Sequence, residues 1–552
     1  MKADGKTVRW AGMASTALAA LVLASCGGSG SDGPAPPACT VNGVNVTASP
    51  ALIVAGMTST LTATVNSTGS CTAGVTWSAT PAGTLTPSGS TATFTAAASG
   101  AYTVRATSTA DSGRNGTATV TVQGPVACGQ ANGVVIAHDA DVTASETWAG
   151  DGITHAVPAA GLSVRGGATL TVAPCAVVAL AAGASISVRD TSRLVAAGTG
   201  DTRFVTFRRA DAAQAWGQLR GYTETTLIDL AHTRLEGGGA VGGANTVNSV
   251  IRVAGAGVFG TLPTPVLRVN QVVIQGSAET GLYLENQAAF SADSQALTIS
   301  GATGRPINVN MMALGSLPIG TYTANGIDEV LIVQNTDVFG DLTVEDRGVP
   351  IRIPAVGMNV APVAGQTTPV TLTLKPGVVL RFPKVGGGPG ARVKFGTNGN
   401  EPNNLLGVLN AVGTAARPIT FTSGEANPTP GDWIGLWLNT ANGSRLDHVN
   451  IEYAGAPSGI NSGNCKPVGT SDDAALHVGS FSTQYVPPTD LITNSRISHS
   501  AGYGINAMWQ APSVSAPNLT AGNVFQNNAL CRQTFNAPSV GACPANGGCT
   551  AN

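Results

Sequence analysis

The sequence predicts an all-β chain: a small sandwich followed by a solenoid of short strands made of two related blocks. Three observations carry this. Short runs rich in Val, Ile, Thr and aromatics recur along the chain, each closed by Gly, Asn, Pro or Ser, and none is long enough for a helix. A set of landmarks recurs in the same order at a nearly constant spacing. The composition, with 71 Gly and only 11% charged residues, suits strands and tight turns, while 43% hydrophobic residues suffice to bury a core.

The landmarks are clearest between Val412 and Gly455. Pro418–Thr422, Trp433–Leu438 and Leu446–Tyr453 read as three strands, the first preceded by Val412-Gly-Thr and the last ending in Ile451-Glu-Tyr-Ala-Gly. Earlier, Ala197-Gly-Thr precedes Phe204-Val-Thr-Phe, then Ala215-Trp-Gly-Gln-Leu, then Leu230-Ala-His-Thr-Arg-Leu-Glu236. The offsets are 215 for Gly198 and Gly413, 217 for Trp216 and Trp433, and 216 for His232 and His448. Constancy over three strands means a duplicated block of coils. Upstream, Leu170-Thr-Val-Ala-Pro-Cys-Ala-Val-Val parallels Leu372-Thr-Leu-Lys-Pro-Gly-Val-Val at an offset of only 202. The second copy therefore carries about a dozen extra residues, expected in a polar loop at Gly386–Asn404. Downstream, Ile274–Leu282 parallels Ile497–Ile505.

These runs, Leu-Thr-Val-x-Pro-Gly, Pro-Ile-x-Phe-Thr-Ser, Asp-Trp-x-Gly-Leu and Ile-Glu-Tyr-Ala-Gly, resemble bacterial right-handed parallel β-helix proteins. The resemblance spans roughly residues 150–528. It implies coils of short strands whose like residues stack into one core. It implies no single activity, because the fold hosts lyases, hydrolases, adhesins and stalks.

In chain order, residues 1–26 read as an export signal: Lys2, Lys6 and Arg9, then an apolar run from Trp10 to Leu23. Leu23-Ala-Ser-Cys26 resembles the bacterial lipobox, which implies cleavage before Cys26 and its acylation, with the outer membrane as destination. Residues 27–38 are a Gly/Ser/Pro tether. Residues 39–124 show alternating runs at Ser59–Val65, Gly74–Ser78, Thr91–Thr95, Ala101–Ala106 and Thr117–Val122, spaced for a seven-strand sandwich. Val-Thr-Trp-Ser-Ala-Thr-Pro-Ala-Gly and Gly-Ala-Tyr-Thr-Val-Arg-Ala-Thr-Ser resemble bacterial Ig-like surface modules, with Trp77 as core aromatic. Residues 125–345 and 346–528 hold the two solenoid blocks, and 529–552 a Cys-containing cap.

Nine cysteines less Cys26 leave eight, an even number in an exported chain, which favours disulfides over metal ligands. Spacing suggests Cys39–Cys71, Cys128–Cys175 and Cys543–Cys549, leaving Cys465–Cys531, although eight cysteines allow 105 pairings.

A net charge of −2 and the absence of a basic run exclude nucleic acid as an expected partner. The expected partners are the membrane, through the lipid, and glycans or other envelope components. Asn335-Thr-Asp337 and Asp472-Asp473 match fragments of the polygalacturonase pattern, but its Gly-His-Gly and Arg-Ile-Lys elements are missing. The richest polar group is Asp447, His448, Glu452, Asp472, Asp473, His477 and His499. Of these, His448 and Glu452 recur as His232 and Glu236, which favours a stacked scaffold position over catalysis. Asp472, Asp473 and His477 have no counterpart. They are the weak candidates for acid/base work or a Ca²⁺ site, against a solvated turn. Trp216 and Trp433 read as packing, whereas Trp437 and Tyr453 are candidates for stacking on sugar. His138-Asp-Ala-Asp141 reads as a solvated turn, and no other cofactor is expected. The function expected is a non-catalytic structural, adhesive or glycan-binding envelope protein, with a polysaccharide lyase or glycoside hydrolase as the alternative.

Overall fold

A strand with every second residue apolar buries one face, and both parts of this chain follow that rule. The computed structural model describes residues 38–124, 126–200, 202–241, 247–258, 260–334, 336–384, 391–396, 406–439, 443–458, 473–479, 488–508 and 518–536. They pack as two compact units, one holding most of residues 38–120 and the other residues from 121 onward together with Leu52–Met57 and Ala96–Gly100.

The first is a sandwich. One antiparallel sheet orders Thr40–Ser49, Thr58–Thr68, Thr91–Thr95 and Thr84–Ser88. The other orders Leu52–Val54, Asn115–Gln123, Gly100–Ser108 and Val75–Thr80. Its core aromatics are Phe94 and Tyr102, ring centroids 5.3 Å apart. Trp77, expected in that role, is only half-buried, because Val75–Thr80 is an edge strand. Cys39 and Cys71 are joined, as their spacing suggested.

The second unit is a parallel β-helix. A thirteen-stranded parallel sheet runs from Leu162–Val164 to Val524–Gln526. Leu162, Ile186, Leu219, Ile251, Leu282 and Ile307 stand in one inward column of it, each paired with the next. They belong to a single apolar core extending from Val142 to Leu519. Such stacking lets every coil bury its apolar face against its neighbours, which no coil could do alone. A twelve-stranded sheet completes the first block, and five- and six-stranded sheets the second.

The recurring landmarks sit in matching places. Trp216 and Trp433 are both fully buried, and their indole Nε1 atoms donate to the Glu236 and Glu452 carbonyls, each at 2.8 Å. His232 and His448 are both left-handed, with φ of 42° and 51°. At His448 the chain passes between strands, so the run expected at Leu446–Tyr453 breaks into Arg445–Asp447 and Val449–Glu452, whereas His232 lies within Leu227–Glu236, where the partner strand changes. The Gly198 and Gly413 amides reach over the corners to the Ala231 and Asp447 carbonyls. A Cβ at either glycine would strike the histidine carbonyl beneath it, which explains the Gly of each Gly-Thr landmark. The equivalent faces nevertheless fall on different sheets. The strand after Trp216, Leu219–Gly221, lies in the thirteen-stranded sheet, whereas Gly435–Leu438 after Trp433 lies in the six-stranded one.

One expectation is overturned. The stretch 386–404 is not a polar loop throughout, because Arg392–Phe395 is a buried strand with Val393 and Phe395 in the core. Its charged residues alternate with apolar ones, and that alternation is a strand signal. Cys128 and Cys175 are joined, and Cys531 is disulfide-bonded to a residue outside the described ones. Cys465, Cys543 and Cys549 also lie outside them, as do Cys26 and the tether. Disulfides fit an oxidising, exported compartment.

Candidate binding site

The six-stranded sheet of the second block carries an unusual outward line. Its strands are Met358–Val360, Arg392–Phe395, Gly435–Leu438, Ala474–Val478, Tyr503–Met508 and Gln533–Asn536. Their inward residues include Met358, Val393, Leu436, Leu476 and Ile505, all in the core. The register then sets Asn359, Lys394, Trp437, His477, Asn506 and Thr534 side by side on the other face. Asp337 joins the open end, accepting at Oδ1 from the Asn359 backbone N–H at 3.2 Å and its side-chain amide at 3.0 Å.

Burial changes along the line. Asn359 is exposed and Asp337 half-buried. Lys394 is 3% exposed and Trp437 6%, while His477, Asn506 and Thr534 are essentially closed off. At the open end lies a pocket of about 370 Å³, lined by Asp337, Phe339, Asn359, Val363, Arg392 and Lys394 among others. Arg392 holds its guanidinium 5.3 Å from the centre of the Trp437 ring, a cation–π contact. Trp437 in turn meets His477 edge-on at 5.2 Å.

Two groups on the line titrate abnormally. Burial pushes Lys394 down to about 8, with the adjacent Arg392 charge adding to the effect. Burial pushes His477 down to about 3, only partly offset by the Asp473 charge and the Ala474 carbonyl. The Ala474 contact falls short of good hydrogen-bond geometry, so His477 is a neutral, enclosed ring.

The candidates from sequence therefore separate. His477 is on the line but sealed from solvent. Asp473 is buried rather than in a solvated turn, and its Oδ1 accepts from the Ser458 amide at 2.6 Å. Asp472 lies outside the described residues. Trp437 faces outward but is too covered to stack on a sugar, and Tyr453 is half-buried with its ring on His499 at 4.9 Å. His448 pairs with Asp447 at 3.0 Å, and Glu452 accepts from Thr422 at 3.1 Å. His138 stacks on Trp148 at 4.0 Å and bonds His155 at 2.9 Å, while Asp141 holds the Ser163 amide and Arg165.

No family model matches the chain, and neither a curated protein nor a solved structure does. Among the described residues, no group of three His, Cys, Asp or Glu side chains is placed to hold a metal ion. Asn359, Arg392 and Lys394 were not singled out from the sequence. The signal was present in Ala391-Arg-Val-Lys-Phe395, whose alternation puts both cations on one face.

Proposed function

We propose that this chain is a lipid-anchored cell-envelope protein that binds glycan in the pocket at the open end of the outer line of its second block and does not turn it over. The observation that carries the reading is that pocket, set where a register-locked ladder of polar and aromatic residues reaches solvent. That pocket combines cations, an amide and a carboxylate with the apolar walls of Phe339 and Val363, the mixture saccharide sites use. Acylated Cys26 is the anchor in this reading, and the sandwich is a spacer. The strand order of the sandwich supports an Ig-like module: with the first strand split in two, its sheets read as ABED and GFC.

A polysaccharide lyase or hydrolase is the second reading, and Lys394 is what favours it. An amine titrating near 8 is poised for general-base work. Against it, Asp473 and His477 are buried, and Asp473 is held by the Ser458 amide. A glycan array run beside assays for reducing ends and unsaturated products tests both. Binding without product supports the proposal. Product that disappears in Lys394→Met replaces it with the second reading.

A further inference from the structure

Lys394 is 3% exposed, and among the described residues no acid or acceptor bonds its amine, yet its side chain lines the pocket. Buried cations are ordinarily paired, since removing an ammonium from water is costly without a counter-charge. Arg392 stands two residues away on the same face of the same strand, its guanidinium held over Trp437. Asn359 faces Lys394 across the ladder, and one N–H of its amide is committed to Asp337. Two cations against one carboxylate leave the pocket one positive charge in excess.

Resting on the glycan-binding reading, we propose that this pocket is a subsite for the carboxylate of an acidic sugar. Arg392 offers a planar fork matched to two carboxylate oxygens, Lys394 supplies a point charge, and the remaining Asn359 N–H completes the donor set. The volume, about 370 Å³, is near the lower end for small-molecule pockets (about 300–1,000 Å³), so it takes a short stretch of saccharide. Phe339 and Val363 provide the apolar wall against a ring face.

The test is calorimetry of the full chain with a panel of uronate oligosaccharides, each beside its methyl ester, together with sulfated and neutral oligosaccharides. The acid forms should bind, with methyl esters roughly ten-fold weaker or worse, as loss of a charge-assisted bond implies. Lys394→Met and Arg392→Met should each weaken the acid forms by a similar factor and the esters far less. Lys394→Met should also melt higher, having lost an unpaired buried charge. Equal binding of acid and ester would overturn the subsite and leave the glycan reading standing. Tighter binding of the sulfated set would overturn the carboxylate. Failure of every saccharide would remove both, and a lower melting point for Lys394→Met would assign the lysine to the scaffold instead.

Discussion

The indole of Trp433 donates to the carbonyl of Glu452 at 2.8 Å, while Phe382 stacks on the same ring at 4.2 Å. One side chain thus ties a coil to the strand that follows and fills the core. Trp433→Phe should keep most of the packing and orphan the carbonyl, lowering stability by about 1–3 kcal/mol. Trp433→Ala should lower it by about 3–5 kcal/mol through the cavity as well. Trp216, bonded alike to Glu236, should give the same pair of values in denaturant unfolding.

Acid should weaken the fold through its buried histidines. His477 is held near 3 and His155 near 4, both by burial, against about 6.5 for a free imidazole. Above pH 6.5 both are neutral in either state. As pH falls, the unfolded chain takes up the protons first, so stability declines down to each folded value. Each group contributes a slope of about 1.4 kcal/mol per pH unit. Urea midpoints between pH 7 and 4 should flatten in His477→Asn; an unchanged slope would refute the assignment.

Alkali should act at Lys394 in two opposed ways. Its folded pKa of about 8 lies below the ordinary lysine value of about 10.4, so stability rises as pH climbs between them. Over the same rise the pocket loses a cation, so affinity for an acidic saccharide should fall on passing pH 8. Titration calorimetry at pH 7 and pH 9.5 checks this, with Lys394→Arg expected to abolish the drop.

Asp337 opposes an anionic ligand from across the pocket. Asp337→Asn should therefore tighten acid-saccharide binding several-fold, most clearly at low salt. A calcium or acid/base role for this carboxylate would give the reverse.

Cys175 occupies a left-handed turn, φ 66°, at the position that Gly377 takes, φ 93°, in the second block. Removing the link to Cys128, which closes 47 residues, should cost about 4 kcal/mol on the loop-entropy model. Cys128→Ser with Cys175→Gly should lose about 1 kcal/mol less than Cys128→Ser with Cys175→Ser, because glycine accepts the left-handed backbone freely. Thermal melts of the two double variants separate the cross-link from the turn.

The scaffold was largely legible because its rules are local and repeat. Alternation sets strand faces, and the offset of Trp216 from Trp433 set the matching coils. His232 and His448 could be assigned to the scaffold on recurrence alone, and the structure adds why: both turn a left-handed corner. At Trp77 alternation is satisfied, but the edge position of its strand leaves the ring half-covered.

Composition and periodicity carry the all-β class and its repeating coils, and cysteine spacing suggests the pairings Cys39–Cys71 and Cys128–Cys175, both of which are joined. Which outward residues meet is set by the packing of the coils. Asn359, Lys394, Trp437 and His477 are 35, 43 and 40 residues apart in turn, and coils of unequal length hide any period. Their alignment comes from hydrogen-bond register between coils, which is fixed by stacking the apolar core. Burial was likewise unreadable in advance: the same outward direction leaves Asn359 in solvent and encloses His477. What covers a face depends on the fold around it, not on the strand that carries it.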